Sequence, residues 1–221
     1  MTARVARDDA AGRAAAIGVL RSGGVVAIPT DTVYGIAVAL DTAGGIERLF
    51  HVKRRPLDKG IIVLLDSTAQ AATVGVMGPA ATALAEACWP GGLTLVVPQR
   101  PDAPMPAALT DGISTIGLRV PDHAAPRALA AAVGPLPTTS ANVSGSPEAR
   151  DASEIVDQLG DAIDLILDGG PAHGGPPSTV VDCAGELPLV LRVGAIPVAR
   201  IAAILDAAGL AHGLAVETGP D

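Results

Sequence analysis

The sequence predicts an α/β domain in which helices flank a mixed, twisted sheet. Short runs of Val, Ile and Leu alternate along the chain with Ala-rich stretches of helical length, a pattern typical of strands that are covered by helices. Several of these runs follow one another through turns too short to hold a helix, and such neighbours pair antiparallel. The chain has one Trp, one Tyr and one Phe. Aliphatic side chains must therefore form the core, which suits a buried sheet.

The predicted strands are apolar, β-branched runs bounded by turn residues. The run at residues 61–65 is apolar throughout, which predicts a strand buried on both faces. In chain order, strands are predicted at residues 25–28, 36–40, 61–65, 93–97, 113–120, 165–168, 179–182 and 189–192.

The predicted helices begin after residues that can cap them. Asp8 or Asp9 can cap the first helix, and Asp122 the alanine-rich helix that Gly134 ends. Asp151 and Glu154 resemble a capping box. The helices are predicted to span about residues 9–21, 42–53, 67–76, 79–88, 123–133, 151–159 and 197–208.

Three segments are predicted as loops. Residues 98–112 carry four prolines without an apolar period, and a loop of that length in a compact domain tends to be a functional lid or mobile. Residues 137–145 are small and polar, and residues 169–177 are rich in Gly and Pro. No repeat or linker divides the chain, so we expect one domain over residues 1–209 and a frayed tail over residues 210–221.

Charge and composition exclude several classes of function. A net charge of −8 and a pI of about 4.9 are unfavourable for sequence-independent nucleic-acid binding, which relies on many phosphate contacts. Charged residues near the start interrupt any signal-peptide apolar stretch, and no apolar run reaches the ~18 residues of a membrane span. Cys88 and Cys183 lack metal-ligand spacing, so we expect reduced core thiols and a cytoplasmic location.

A cationic cluster stands out in this acidic chain. Lys53, Arg54, Arg55 and Lys59 lie within seven residues and include both lysines of the protein. One interpretation is a solvated helix end, because cations favour a helix C-terminus. The other interpretation is an anion-binding site.

The segment Pro29-Thr30-Asp31-Thr32-Val33-Tyr34-Gly35 places hydroxyls, a carboxylate and the only tyrosine directly after a predicted strand. Pro, Asp and Gly favour a turn, and Thr hydroxyls often bond to nearby backbone, so a turn is one interpretation. Asp31 either serves this turn or orients hydroxyls or water.

Five motifs in order resemble those of the YrdC-type threonylcarbamoyl-AMP synthases, over about residues 15–200. They are PTDTVYG followed by Lys53-x-Arg55-Pro56; Trp89-Pro90-Gly91-Gly92-Leu93-Thr94; Thr115 with Arg119-Val120-Pro121; Ser140-Ala141-Asn142-x-Ser144-Gly145; and Pro177-Ser178-Thr179-Val180-Val181-Asp182 with Arg192-x-Gly194.

The resemblance implies a YrdC-like fold of the short, single-domain type with a cationic cleft. It implies an enzyme that condenses L-threonine, bicarbonate or CO₂, and ATP to threonylcarbamoyl-AMP and pyrophosphate for t6A modification of tRNA. Mg²⁺ would be bound through the phosphates, a threonylcarbamoyl transferase would use the product, and direct tRNA binding would be weak or absent. The chemistry needs positioning and charge stabilisation rather than a protein nucleophile.

The resemblance also implies roles for individual residues. Lys53 and Arg55 would be catalytic, and Arg119 would pair with the threonine carboxylate. The other threonine-binding residues would be Thr32, Thr138 and Ser178. The nucleotide-binding residues would be Arg55, Lys59, Thr115, Ser140, Asn142 and Arg192.

Some alternatives stay open. Arg119 could pair with an acid at a strand end, and Ser140 and Asn142 could be turn residues. Leu64 replaces a histidine that lines the threonine pocket in some members, which leaves the amino-acid specificity open. Glu148 stands where some members present a serine to ATP, and an anion is not expected to face phosphate. Gly92 replaces a proline of the family motif. The alternative functions are an RNA-binding or ribosome-maturation factor and a related carbamoyl-adenylate-forming enzyme.

Overall fold

A ten-stranded mixed sheet organises the chain in a computed structural model. The structure describes residues 3–53, 61–103, 105–106, 109, 112, 114–172 and 174–214. Among these residues seven helices accompany the sheet, so the predicted α/β class is confirmed. The described helices are all too short or too polar to cross a membrane.

The strands run in the order β1-β8-β2-β3-β7-β4-β6-β5-β9-β10 across the sheet. Their bounds are Arg4–Arg7 (β1), Val26–Ile28 (β2), Gly35–Ala37 (β3), Ile62–Leu64 (β4), Leu93–Pro98 (β5), Thr115–Arg119 (β6), Leu136–Ser140 (β7), Leu165–Asp168 (β8), Thr179–Asp182 (β9) and Leu189–Arg192 (β10).

The helices follow the capping signals closely. Asp9 caps the first helix by accepting from Gly12 N, and Asp151 accepts from the amides of Ser153 and Glu154. The helices are Ala10–Arg21 (α1), Gly45–Lys53 (α2), Thr68–Val74 (α3), Pro79–Cys88 (α4), Ala124–Val133 (α5), Ala152–Leu159 (α6) and Val198–Ala207 (α7).

The core lies on both faces of the sheet, and β2 shows why. Its side chains alternate, so Val26 and Ile28 pack against a cluster that includes α1 and α5, whereas Ala27 packs against one that includes α2 and α6. Strand β4 behaves alike, with Val63 fully buried and Leu64 1% exposed. The prediction that this run is buried on both faces is confirmed.

Two sequence predictions are corrected, and one strand was not predicted. The start of the predicted loop at residues 137–145 belongs to strand β7, which pairs antiparallel with β3 and β4. Its sequence LPTTS lacks an apolar alternation, and pairing on both sides imposes the extended conformation. His123, not Asp122, caps α5 by accepting from Ala125 N. Strand β1 was not predicted because its burial pattern is mostly exposed and its four residues include two arginines.

Candidate active site

A cavity of about 160 Å³ lies where β6, β7 and the segments before β3 and β9 meet. It collects all four residues predicted for threonine and two of those predicted for the nucleotide. Its wall is formed by Thr32, Val33, Ile62, Arg119, Thr138, Thr139, Ser140, Glu148, Pro177, Ser178 and Arg192.

The polar turn after β2 fixes the hydroxyl of Thr32. Thr30 Oγ1 donates to Val33 O at 2.6 Å and lies 3.2 Å from Thr32 Oγ1. Because the Thr30 proton is used on Val33, Thr32 is the donor of the pair. Thr32 Oγ1 in turn accepts from Arg119 at 3.0 Å. The hydroxyl protons of Thr30 and Thr32 therefore both point away from the Arg119 guanidinium.

Arg119 is held from three sides at the end of β6. Its Nε donates to Gly91 O at 2.9 Å, one Nη to Thr32 Oγ1, and the other to Asp31 Oδ1 at 2.7 Å. The residue is only 3% exposed. Burial lowers the pKa of the Arg119 guanidinium, and Asp31 opposes that shift. Arg119 therefore both pairs with an acid and faces the cavity.

Asp31 is the functional residue that sequence reasoning left open. Its carboxylate makes the buried ion pair with Arg119 and is 17% exposed. Its position beside two threonines in a turn was the only sequence signal, and that signal is equally typical of an ordinary turn.

Lys53 contacts two of the residues predicted for the nucleotide, Ser140 and Asn142. From the end of α2, its Nζ donates to Ser140 O at 2.8 Å, Ser140 Oγ at 3.0 Å and Asn142 Oδ1 at 2.7 Å. Ser140 Oγ also donates to Asn142 Oδ1 at 2.7 Å. Lys53 is 3% exposed and does not line the cavity. The structure therefore joins these three predicted residues into one network whose cavity-facing member is Ser140.

Ser178 and Arg192 form a second network in the wall of the cavity. Arg192 donates through Nε and Nη2 to Ser178 O at 3.1 and 2.9 Å, and through Nη2 to Ser178 Oγ at 3.1 Å. The Ser178 hydroxyl lies 2.8 Å from Thr94 Oγ1. Thr94 is fully buried and belongs to the Trp89–Thr94 motif, but no role was predicted for it.

Two local features bring Arg192 to this wall. Strand β10 has a register break between Val190 and Arg192, and such a bulge redirects a side chain. A Cβ at Gly194 would lie 2.1 Å from Pro177 O, so only glycine allows this close approach of the two segments.

A more apolar cavity of about 270 Å³ adjoins the first. The two share the lining residues Ile62 and Arg192, so they lie side by side, and together they are called the cleft. Thr115, predicted for the nucleotide, lies in this second part. Its wall is formed by Ile61, Ile62, Thr94, Val96, Leu109, Thr115, Ile116, Gly117, Val180 and Arg192.

Tyr34 fastens the polar turn to the segment after β8. Its hydroxyl donates to Gly170 O at 2.6 Å and accepts from Gly169 N at 3.1 Å, while the ring is fully buried. Burial raises the pKa of the Tyr34 phenol. The single tyrosine therefore has a positional role outside the cavity.

Comparison with known proteins identifies the family. The Sua5/YciO/YrdC family model, described as telomere recombination, matches residues 18–194. The chain belongs to the Sua5/YciO/YrdC family.

Named relatives cover most of this Sua5/YciO/YrdC chain. The threonylcarbamoyl-AMP synthase of Bacillus subtilis (strain 168) is 37% identical over 205 residues, which are 91% of this chain and 58% of that protein. The threonylcarbamoyl-AMP synthase of Klebsiella pneumoniae is 35% identical over 177 residues, which are 78% of this chain and 92% of that protein. The chain thus spans little more than half of the first relative and most of the second.

A solved structure of the family shares the fold closely. The crystal structure of P. abyssi Sua5 complexed with L-threonine superposes with a TM-score of 0.84 at 32% identity, over 92% of this chain and 60% of that one. The names of these relatives do not favour the alternative of an RNA-binding or ribosome-maturation factor.

The departures from the family pattern fall in different places. Leu64 is 1% exposed, packs in the core and does not line the cleft. A Cβ at Gly92 would lie 2.6 Å from Ala195 Cβ, so there is no room for a larger residue. Glu148, by contrast, lines the cavity beside the predicted substrate residues. Arg55 and Lys59 lie outside the described residues.

Proposed function

We propose that the chain is an ATP-dependent L-threonylcarbamoyl-AMP synthase. The observation that carries the proposal is one small cavity with two guanidinium groups, Arg119 and Arg192, among hydroxyl side chains. Guanidinium groups suit planar anions such as carboxylates and phosphates. Family membership and relatives named threonylcarbamoyl-AMP synthase support the same reaction.

The threonine would bind at the Arg119 end of the cleft. Arg119 would take its carboxylate, because two guanidinium N–H groups remain after the three contacts made within the described residues. The Thr32 and Ser178 hydroxyls and the Thr138 backbone would complete the site. The solved Sua5 complex, in which the bound molecule is L-threonine, supports this ligand class.

The nucleotide would bind along Ser140, Arg192 and Thr115. The apolar second cavity suits the adenosine, and Ser140 with Arg192 suits the phosphates. Asn142 would act through its contact with Ser140, at 2.7 Å. Arg55 and Lys59 complete the proposed nucleotide set from the sequence alone.

The chemistry would proceed on the two bound substrates. The neutral threonine amine forms a carbamate, either with CO₂, which releases a proton, or with bicarbonate, which releases water. A carbamate oxygen then attacks the α-phosphorus, and the bond to the leaving pyrophosphate breaks. Lys53 and Arg55 are the proposed catalytic pair, with Lys53 acting from beneath Ser140 to stabilise the charge that develops on the phosphates.

The further partners are proposed on the same basis. Mg²⁺ would enter the site bound to the phosphates of ATP, and besides them it needs only one or two carboxylates. A threonylcarbamoyl transferase would consume the product to form t6A in tRNA. The enzyme would work in the cytoplasm as one catalytic domain over residues 1–209.

Pyrophosphate release with substrates omitted one at a time tests the proposal. We expect release only when ATP, bicarbonate and threonine are all present, with serine and glycine much poorer substrates. Release that requires carbamoyl phosphate and ignores threonine would support the related carbamoyl-adenylate former instead.

A further inference from the structure

Glu148 is the charged residue of the cleft that the two networks leave unexplained. It is exposed and lines the 160 Å³ cavity. Within the part of the chain that the structure describes, its carboxylate forms no ion pair with a lysine or arginine. A carboxylate in this position faces the space that the proposed substrates would fill.

The charge balance of the cavity makes this carboxylate unfavourable for a bare triphosphate. Arg119 is already paired with Asp31 at 2.7 Å. The other two charged residues of the described wall, Arg192 and Glu148, are opposite in sign. The described wall therefore offers no net positive charge to a polyanion. Like charges brought together near a protein surface repel more than they do in bulk water, because the effective dielectric constant there is lower than that of water.

The loop that carries Glu148 belongs to the nucleotide end of the cleft. Asn142 Nδ2 donates to Ser146 O at 2.6 Å, and Ala149 is only 1% exposed. These two anchors tie the loop that carries residue 148 to Asn142 of the nucleotide network. Glu148 is therefore expected to meet phosphate groups rather than the amino-acid end.

We propose that Glu148 would help to hold the divalent cation that accompanies the triphosphate, which would bring positive charge to the phosphates. Mg²⁺ at nucleotide sites is typically held by one or two carboxylates plus the substrate phosphates. One cation would add positive charge to the described wall, beside the cations that are assigned to the nucleotide from the sequence alone, and would remove the repulsion from Glu148. This inference rests on the proposed function, since it takes ATP as the ligand.

Calorimetric titration of ATP into the full chain without threonine tests the proposal apart from catalysis. Wild type and Glu148→Gln are each measured with excess MgCl₂ and with EDTA at matched ionic strength. Glu86→Gln, an exposed carboxylate on α4, is the matched control. Threonine is titrated into the same variants.

Mg²⁺ should lower the Kd for ATP by a larger factor in wild type than in Glu148→Gln. The two factors should differ by about tenfold or more, as expected when the variant loses one charged contact. Without Mg²⁺, Glu148→Gln should bind ATP more tightly than wild type, which a merely disrupted site would not do. Glu86→Gln should match wild type.

Equal Mg²⁺ factors in wild type and Glu148→Gln would overturn the cation contact while leaving the proposed function in place. So would a loss of threonine affinity in Glu148→Gln with an unchanged Mg²⁺ factor, because the carboxylate would then serve the threonine ammonium. A wild-type chain that binds no ATP under either condition would overturn both proposals.

Discussion

Arg119 connects the polar turn after β2 to the cleft. Its contacts with Asp31, Thr32 and Gly91 fix the guanidinium before any ligand binds. A preorganised group of this kind loses little entropy when it binds an anion. At the scale of single residues, the account therefore predicts a specific defect when the group is removed.

Arg119→Ala should raise the KM for threonine roughly ten- to a hundredfold, since a charge-assisted hydrogen bond contributes about 1.5–3 kcal/mol. ATP affinity should change little, because Arg119 is absent from the second cavity. Threonine saturation curves and ATP titration of the variant measure both quantities. Arg127→Ala, an exposed arginine on α5, is the control and should match wild type. A variant that lost ATP affinity and kept its threonine KM would reverse the assignment of the two ends.

Thr94 is expected to act through Ser178. Thr94→Val keeps the shape and removes the 2.8 Å contact between the two hydroxyls. We expect the KM for threonine to rise about fivefold or more, with kcat nearly unchanged, because the loss of a neutral hydrogen bond costs about 1 kcal/mol. Steady-state kinetics measure KM and kcat separately, and Thr94→Ser should restore the wild-type KM for threonine. A drop in kcat alone would show that Thr94 does not act by positioning Ser178.

Strands β4, β7 and β8 show which elements could be predicted from the sequence and which could not. The long apolar runs predicted β4 and β8 well, since burial on both faces leaves a direct mark on sequence. Strand β7 left none: its threonines line the cavity, and partner strands impose its conformation. The motifs likewise identified Arg119 and Ser178 as site residues. They did not predict the contacts of Arg119 with Asp31 and of Ser178 with Thr94, because a local motif does not indicate contacts between distant segments.

Gly194 offers the test at the scale of elements. A methyl group there would meet Pro177 O, so Gly194→Ala must push β10 away from the segment before β9. Arg192 would then lose its contacts with Ser178. We expect a destabilisation of about 1–3 kcal/mol in urea unfolding and weaker binding of both substrates. Gly213→Ala, where nothing lies within 4 Å, is the control. Wild-type stability and affinities in Gly194→Ala would refute the role of this close approach.

Charge acts at the scale of the whole molecule. With a net charge of −8, the protein as a whole repels a nucleic-acid backbone even though its cleft is proposed to bind a triphosphate. The cation that we assign to Glu148 reconciles a polyanionic substrate with an acidic protein.

Binding of tRNA to the free protein should therefore be weak and should vanish by moderate salt, since any contact would be electrostatic. A fluorescence titration with labelled tRNA across a salt series measures this. Submicromolar binding that survives 200 mM salt, an ionic strength at which phosphate contacts are weakened, would revive the RNA-factor interpretation.

The most direct measurement follows the carbon of bicarbonate into the product. The purified chain is incubated with ATP, L-threonine and ¹³C-bicarbonate, and the adenylate products are separated and weighed by mass spectrometry. The account predicts a threonylcarbamoyl-AMP that carries the label, with one pyrophosphate released for each molecule formed. At low threonine, Arg119→Ala should form roughly ten- to a hundredfold less of it. An adenylate without the label, or ATP cleavage that ignores threonine, would contradict the synthase function.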